Sequence, residues 1–512
     1  MKRVALLPLA LSFALPLACG SRAGLSALDP APGPAPTAQA PSGLVTFPSI
    51  EETVAVPEPA PPPDPRPRPD GFRKNDFQRE CELAAPRLDA VLARIQADVA
   101  AQPAADRPFS RYISAAFSLP SSCRLDTALN LSADALPLLL NSLSLTRNVA
   151  RAQILSGDAA LLRIDLREMG WNRPIQIAGQ HYADGWEVLS ANAAQALTLR
   201  GPEADALLEQ LGTRTPLLQA HDLAQSALSA SVYYALLDVP QTLAELRSAI
   251  GIPPELEQEP NAYWRAVTTE SVVSRQDRVV LRYRGDAGSP LFWHTLDRGS
   301  DAASGGAFAD PLARQADESS VVYTLPNGLP AYFLADAGGR RLDASRVLID
   351  TAEDDFVPRT APSCVRCHSD GGVLPVTDAL RAYAATDPNG HFGQRDLALL
   401  AEVYPSQKDL DALIEADRQR VEDARARLGV PRGNGGLDEL VLPYTQDLQP
   451  AFAAAELFVS PAELQRRAPE LPGPMRVLLS LGNLGRASFN ESYLETLCVL
   501  AQGWRNQPTG CR

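Results

Sequence analysis

Five consecutive residues carry the most specific chemistry in the chain: Cys364-Val365-Arg366-Cys367-His368, a C-x-x-C-H run. Two thiols one helical turn apart reach the two vinyl groups of a haem as thioethers, and the imidazole that follows falls under the iron as proximal ligand. Two other chemistries use paired cysteines. A thioredoxin-like dithiol calls for a βαβ setting with a helix starting at the first Cys. A zinc site calls for a second ligand pair nearby, and the next cysteine is Cys498. The run therefore predicts one covalent haem c on Cys364 and Cys367, with His368 on the iron.

The sixth iron position decides what such a haem does. Methionine gives a high-potential carrier, a second histidine a lower one, and an open position admits a small molecule or peroxide. With five histidines and three methionines, the candidates are His181, His221, His294, His391, Met169 and Met475. His391 is nearest in sequence, in the loop Pro388-Asn389-Gly390-His391, and Met475 has a proline beside it in Pro472-Gly473-Pro474-Met475. For each, the competing expectation is a solvent-facing histidine or a core methionine. His294, beside Phe292 and Trp293, suits a packing role with a polar tip. Arg366, between the attachment cysteines, is placed to pair with a haem propionate or to stay solvated. Glu353-Asp354-Asp355 lacks calcium-loop spacing and predicts a solvated loop. No G-x-S-x-G, H-E-x-x-H or phosphate-loop pattern is present, which weighs against hydrolase chemistry.

The other cysteines are Cys19, Cys81, Cys123, Cys498 and Cys511. Met1-Lys2-Arg3 followed by an apolar run to Ala18 has the form of a signal peptide and is too short to span a bilayer. Leu15-Pro16-Leu17-Ala18-Cys19 resembles the lipobox of bacterial lipoproteins. That resemblance implies cleavage before Cys19, a lipid on its sulfur and a periplasm-facing place in the cell envelope; the alternative is an ordinary cleaved signal with an incidental cysteine. Cys81, Cys123, Cys498 and Cys511 then remain for two structural disulfides, with Cys81–Cys123 and Cys498–Cys511 the sequence-local pairings among three connectivities.

Residues 20–75 are rich in Ala and Pro, including Pro61-Pro62-Pro63, and predict an extended tether or a ligand for another domain. The whole chain, 512 residues with 45% hydrophobic and 21% charged side chains, suffices for a substantial core. The net charge of -14 weighs against a nucleic-acid partner.

The elements that must position the motif follow from periodicity. Leu83, Leu88, Val91, Leu92 and Ile95 recur at helical spacing, as do Leu136 to Leu145 and Val232 to Ile250, the last broken at Pro240. Leu161 to Arg167 alternates as a strand, and Ser271 to Tyr283 is extended. Val321–Leu325 and Ala331–Ala335 flank the turn Pro326-Asn327-Gly328, predicting a small antiparallel meander just before the motif. Ser406 with Asp409, and Ser460-Pro461-Ala462-Glu463, mark helix starts after it, and Gly429 a stop. The expected class is α+β with helices dominant, divided into an α+β domain over 76–350 and a mostly helical haem-bearing region over 351–512.

Several strings in order are familiar: Arg111-Tyr112-Ile113-Ser114, Leu162–Arg167 with Gly170-Trp171, Tyr233–Leu237, Ser274–Arg278, Leu325–Tyr332 and Ser363–His368. From about residue 107 to 500 the chain resembles an uncharacterised family of exported bacterial proteins with a single cytochrome-c-type motif. The resemblance implies a haem motif built into a larger unit, with electron transfer as its general role and a redox partner that the sequence does not name.

Overall fold

The computed structural model describes residues 87–512 apart from 117–133, 156–159, 258, 287–288, 299–305, 313–314, 369–371, 387–389, 391, 431–436, 438–439, 441–446 and 512. Cys19, Cys81, Cys123 and His391 therefore lie outside the described residues. The class is α+β with helices dominant.

Helix α1 (Leu88–Ala101) buries Leu88, Val91, Leu92, Ile95 and Val99, the stripe that its 3.6-residue period lays along one side. Strands β1 (Ser110–Ser114), β2 (Gln153–Ile154), β3 (Leu161–Asp165) and β7 (Leu217–Gln219) form a sheet in the order β2-β3-β1-β7, with helix α2 (Leu136–Ser142) between β1 and β2 in the chain. Between β3 and β7 come the hairpin β4 (Ile175–Ile177) and β5 (Gln180–Tyr182), and strand β6 (Leu199–Arg200). Helices α3 (Ala220–Ala227), α4 (Ala230–Leu236) and α5 (Leu243–Ala249) follow. The helical stretch over 232–250 is two helices, parted at the break expected at Pro240, because proline has no N–H to continue the ladder.

The meander is larger than the sequence suggests. Strands β8 (Tyr263–Thr268), β9 (Arg278–Tyr283), β10 (Phe292–Asp297), β11 (Glu318–Thr324), β12 (Pro330–Asp336) and β13 (Arg341–Leu342) make a six-stranded antiparallel sheet in simple sequence order. Its register places Trp264, Arg282, Trp293, Val322 and Tyr332 in one cross-strand row, and Arg265, Leu281, His294, Val321 and Phe333 in the next. Neighbouring rows point to opposite faces.

After the sheet come α6 (Pro362–His368), α7 (Leu380–Thr386), α8 (Gln394–Val403) and α9 (Gln407–Leu428). The Ser406 side chain caps α9 by accepting from the Asp409 N–H, and Gly429 ends it at φ 80°. On α9, Leu410, Ile414 and Val421 cover the face of the sheet that carries Ala266, Val280 and Trp293. Asp417 fastens that contact: its carboxylate accepts from Arg282 twice at 3.0 Å and from the Trp293 indole at 2.8 Å. Helices α10 (Pro450–Glu456), α11 (Gly473–Leu481) and α12 (Arg486–Leu500) close the chain, and strand β14 (Gln507–Pro508) pairs with β6.

The boundary expected at residue 350 does not separate two cores. One core joins α1, Leu207 and Leu211 to Leu448, Leu457, Met475, Phe489 and Leu497. The other runs from Ile113 and Leu162 through the six-stranded sheet to Val365, Leu400 and Leu428.

Candidate functional site

The motif sits on α6, a two-turn helix whose first residue is Pro362, where a missing N–H costs nothing. Ala361 precedes it at φ 74°, and its carbonyl accepts from the Val365 N–H at 2.8 Å. Ser363 and Val365 face inward, while Cys364 and His368 are half-buried.

His368 is fixed by two partners. Its Nδ1 lies 2.8 Å from the Gly372 carbonyl, so Nδ1 carries the proton and donates it there, and the Gly372 N–H returns a 2.8 Å bond to the His368 carbonyl. The ring also packs on Tyr332 of β12, with centroids 5.7 Å apart. Burial pushes the imidazole down to about 4, against the help of the Gly372 carbonyl, so the ring is neutral at pH 7. The Nε2 lone pair has no hydrogen-bond partner among the described residues. A neutral imidazole with Nδ1–H committed to a carbonyl and Nε2 free is the form in which histidine binds a metal. Gly372 makes this turn possible. It adopts φ 70°, and a Cβ there would stand 3.0 Å from Val421 Cγ2 and 3.5 Å from Pro330 Cβ.

The two cysteines differ. Cys364 carries a free thiol, which burial beside Tyr233, Tyr234 and Tyr332 pushes up to about 11. Cys367 is disulfide-bonded, to none of the other described cysteines, because Cys498 and Cys511 are bonded to each other. The residues fit haem c at Cys364 and at His368. They fit at Cys367 once a dithiol reductant has opened its disulfide, since a thioether forms only from the free thiol.

Arg366 makes neither a solvated nor an open end. It binds Asp350 at 3.1 Å and Glu353 at 2.5 Å, while Arg359 binds Asp355 at 2.6 Å. The acidic run expected to be solvated is therefore a clamp across the base of α6, and a propionate would have to displace carboxylates to reach Arg366.

The other iron-ligand candidates are held elsewhere. Met475 is buried in the core of the closing helices, apart from the core that takes in Cys364 and Val365. His181 is exposed on the β4–β5 hairpin, and Met169 is buried at the end of the one-turn helix Leu166–Met169. His294 lies in the row opposite to that of Tyr332, with Nδ1 3.2 Å from Arg247, and does pack with Phe292 at a ring distance of 6.2 Å. His221 is fully buried, 3.5 Å from Glu456, whose carboxylate also binds Arg486 at 2.6 Å and Gln195 at 2.9 Å. Burial alone would raise the Glu456 carboxyl, but His221 and Arg486 hold it down at about 2. None of these is brought to His368. Among the described residues, no group of three or more His, Cys, Asp or Glu side chains is arranged to hold a metal ion.

Tyr332 and Gly372 were not singled out as site residues in the sequence. Their only signals there are the Pro-Asn-Gly turn that leads into β12 and the Gly371-Gly372 pair just after the histidine. No protein-family model, curated protein or solved structure matches the chain.

Proposed function

We propose that this chain is an exported cytochrome-c-like protein. It carries one haem c, bonded to Cys364 and Cys367 with His368 as proximal ligand, and transfers electrons to a redox partner from the cell envelope, anchored by lipid on Cys19. The observation that carries the reading is the C-x-x-C-H run on one helix with a neutral His368 whose Nε2 is free. Haem bound there would supply one-electron chemistry. The protein's part is to hold the imidazole through Gly372 and Tyr332, to keep it unprotonated by burial, and to cover its inner side with the sheet.

A second reading, a haem enzyme or small-ligand sensor, is favoured by one observation: none of Met169, His181, His221, His294 or Met475 is placed against His368. One experiment addresses both. The full chain, produced with a haem-attachment system, is recorded oxidised and dithionite-reduced, with and without carbon monoxide. Low-spin bands indifferent to carbon monoxide support the carrier, and a high-spin spectrum that shifts with it supports the open site. The Cys364→Ala, Cys367→Ala double variant is expected to lose covalent haem; retention would refute the assignment.

A further inference from the structure

A 480 Å³ cleft opens where β8, the edge strand of the six-stranded sheet, meets the end of α8 and the first turns of α9. Trp264 of β8 and Ala412 and Leu413 of α9 give it apolar walls, and Arg381, Glu402 and Asp409 bring charge to it from α7, α8 and α9. Its volume lies within the range of small-molecule sites, about 300–1,000 Å³. The Arg284 guanidinium covers one face of the Trp264 indole, 3.3 Å from the ring centroid. Arg284 does not line the cleft, so the indole presents another side there.

Each charged group is held by one bond to the protein. Arg381 Nη1 donates to the Tyr404 carbonyl at 2.6 Å, Glu402 Oε1 accepts from the Asn261 amide at 2.8 Å, and Asp409 Oδ2 accepts from the Ser406 hydroxyl at 2.6 Å. Arg381 Nη2, Glu402 Oε2 and Asp409 Oδ1 have no hydrogen-bond partner among the described residues. One cleft thus offers a cationic donor, two anionic acceptors and an aromatic wall. An organic cation there would meet Arg381, and an anion would meet two carboxylates. A neutral polyol uses both signs, since each hydroxyl can donate to a carboxylate and accept from a guanidinium. The C–H face of a sugar ring packs on the indole. A free amino acid also carries both charges, but it is too small to fill the space.

We propose that this cleft binds a neutral carbohydrate of one or two rings, packed on Trp264 and hydrogen-bonded by Arg381, Glu402 and Asp409. Strand β8 lies four strands from β12 in the sheet, about 19 Å at the ordinary strand spacing. The site is therefore separate from Tyr332 and His368 and does not rest on the haem reading.

The test titrates the full chain with cellobiose, maltose and the N-acetylglucosamine disaccharide, by calorimetry and by tryptophan fluorescence. Saturable binding of at least one of them is expected, weakened by about tenfold or more in Trp264→Ala and severalfold in Glu402→Gln. Should Trp264→Ala fail to fold, Ala412→Trp carries the test: it changes an exposed position of α9, fills the cleft and is expected to abolish binding. Absence of saturable binding of all three sugars, undiminished binding by Ala412→Trp, or equal binding of leucine in place of a sugar would overturn the proposal.

Discussion

Gly372 shows how much of the motif's geometry rests on one backbone position outside it. Its carbonyl fixes the His368 tautomer, and it does so at φ 70° with Val421 and Pro330 against the space a side chain would need. An alanine there pays for the left-handed conformation and for the 3.0 Å approach to Val421 Cγ2. Gly372→Ala is expected to cost about 1–3 kcal/mol by denaturant unfolding. Val421→Ala removes the steric part and leaves the conformational part. The double variant should therefore lose less than the sum of the two single losses; strict additivity would mean that Val421 does not press on that turn.

At the scale of elements, the buried cluster that joins α3 to α10 and α12 makes the sharpest prediction. Glu456 ends α10, Arg486 opens α12, and His221 and Asp222 lie on α3, with Gln195 and Tyr493 completing the surround. Arg486→Met strands the Glu456 carboxylate and is expected to cost about 3–5 kcal/mol; adding Glu456→Gln should recover part of that loss. Because the Glu456 carboxyl is held below its ordinary value, its contribution is present above about pH 4.5 and fades as pH falls toward 2. Asp222 opposes it, since burial pushes its carboxyl up despite His221 and the Gln195 and Ala194 N–H groups. Denaturant unfolding between pH 2 and 6 should show a steeper acid loss in the wild type than in Glu456→Gln. This cluster was not legible in the sequence, because its members come from segments more than 200 residues apart, and only His221 was noticed, for the wrong partner. Helix α9 was legible, since Ser406, Asp409 and Gly429 are local signals. Strands β8 and β10 were not: Arg265 and His294 sit at buried positions, where Pro311 and Arg247 from elsewhere in the chain contact them and the expected apolar alternation is lost. The motif itself was legible, and the turn that orients its histidine was not.

For the whole molecule, the question is whether the part before the motif stands alone. The sequence suggested a domain ending near 350, yet the sheet face bearing Ala266, Val280 and Trp293 is covered by α9, and the core around α1 is completed by α10, α11 and α12. β14 pairs with β6, and the Cys498–Cys511 disulfide ties that returning strand to α12. A fragment ending at 350 would leave Trp293, Leu88, Val91, Ile95 and Leu207 without the partners that bury them, and Arg282 and His221 without Asp417 and Glu456. Each large apolar side chain so exposed forfeits about 1.5–3 kcal/mol. Five of them outweigh the whole stability of a typical domain, about 5–15 kcal/mol, or most of it. Residues 87–350 are therefore expected to show no cooperative thermal transition and to bind a hydrophobic dye, whereas the full chain melts as one unit. A cooperative melt of that fragment would restore the two-domain division. The same dependence bears on α6, which packs His368 on Tyr332 of the sheet and sets Val365 into the core shared by the segments before and after residue 350.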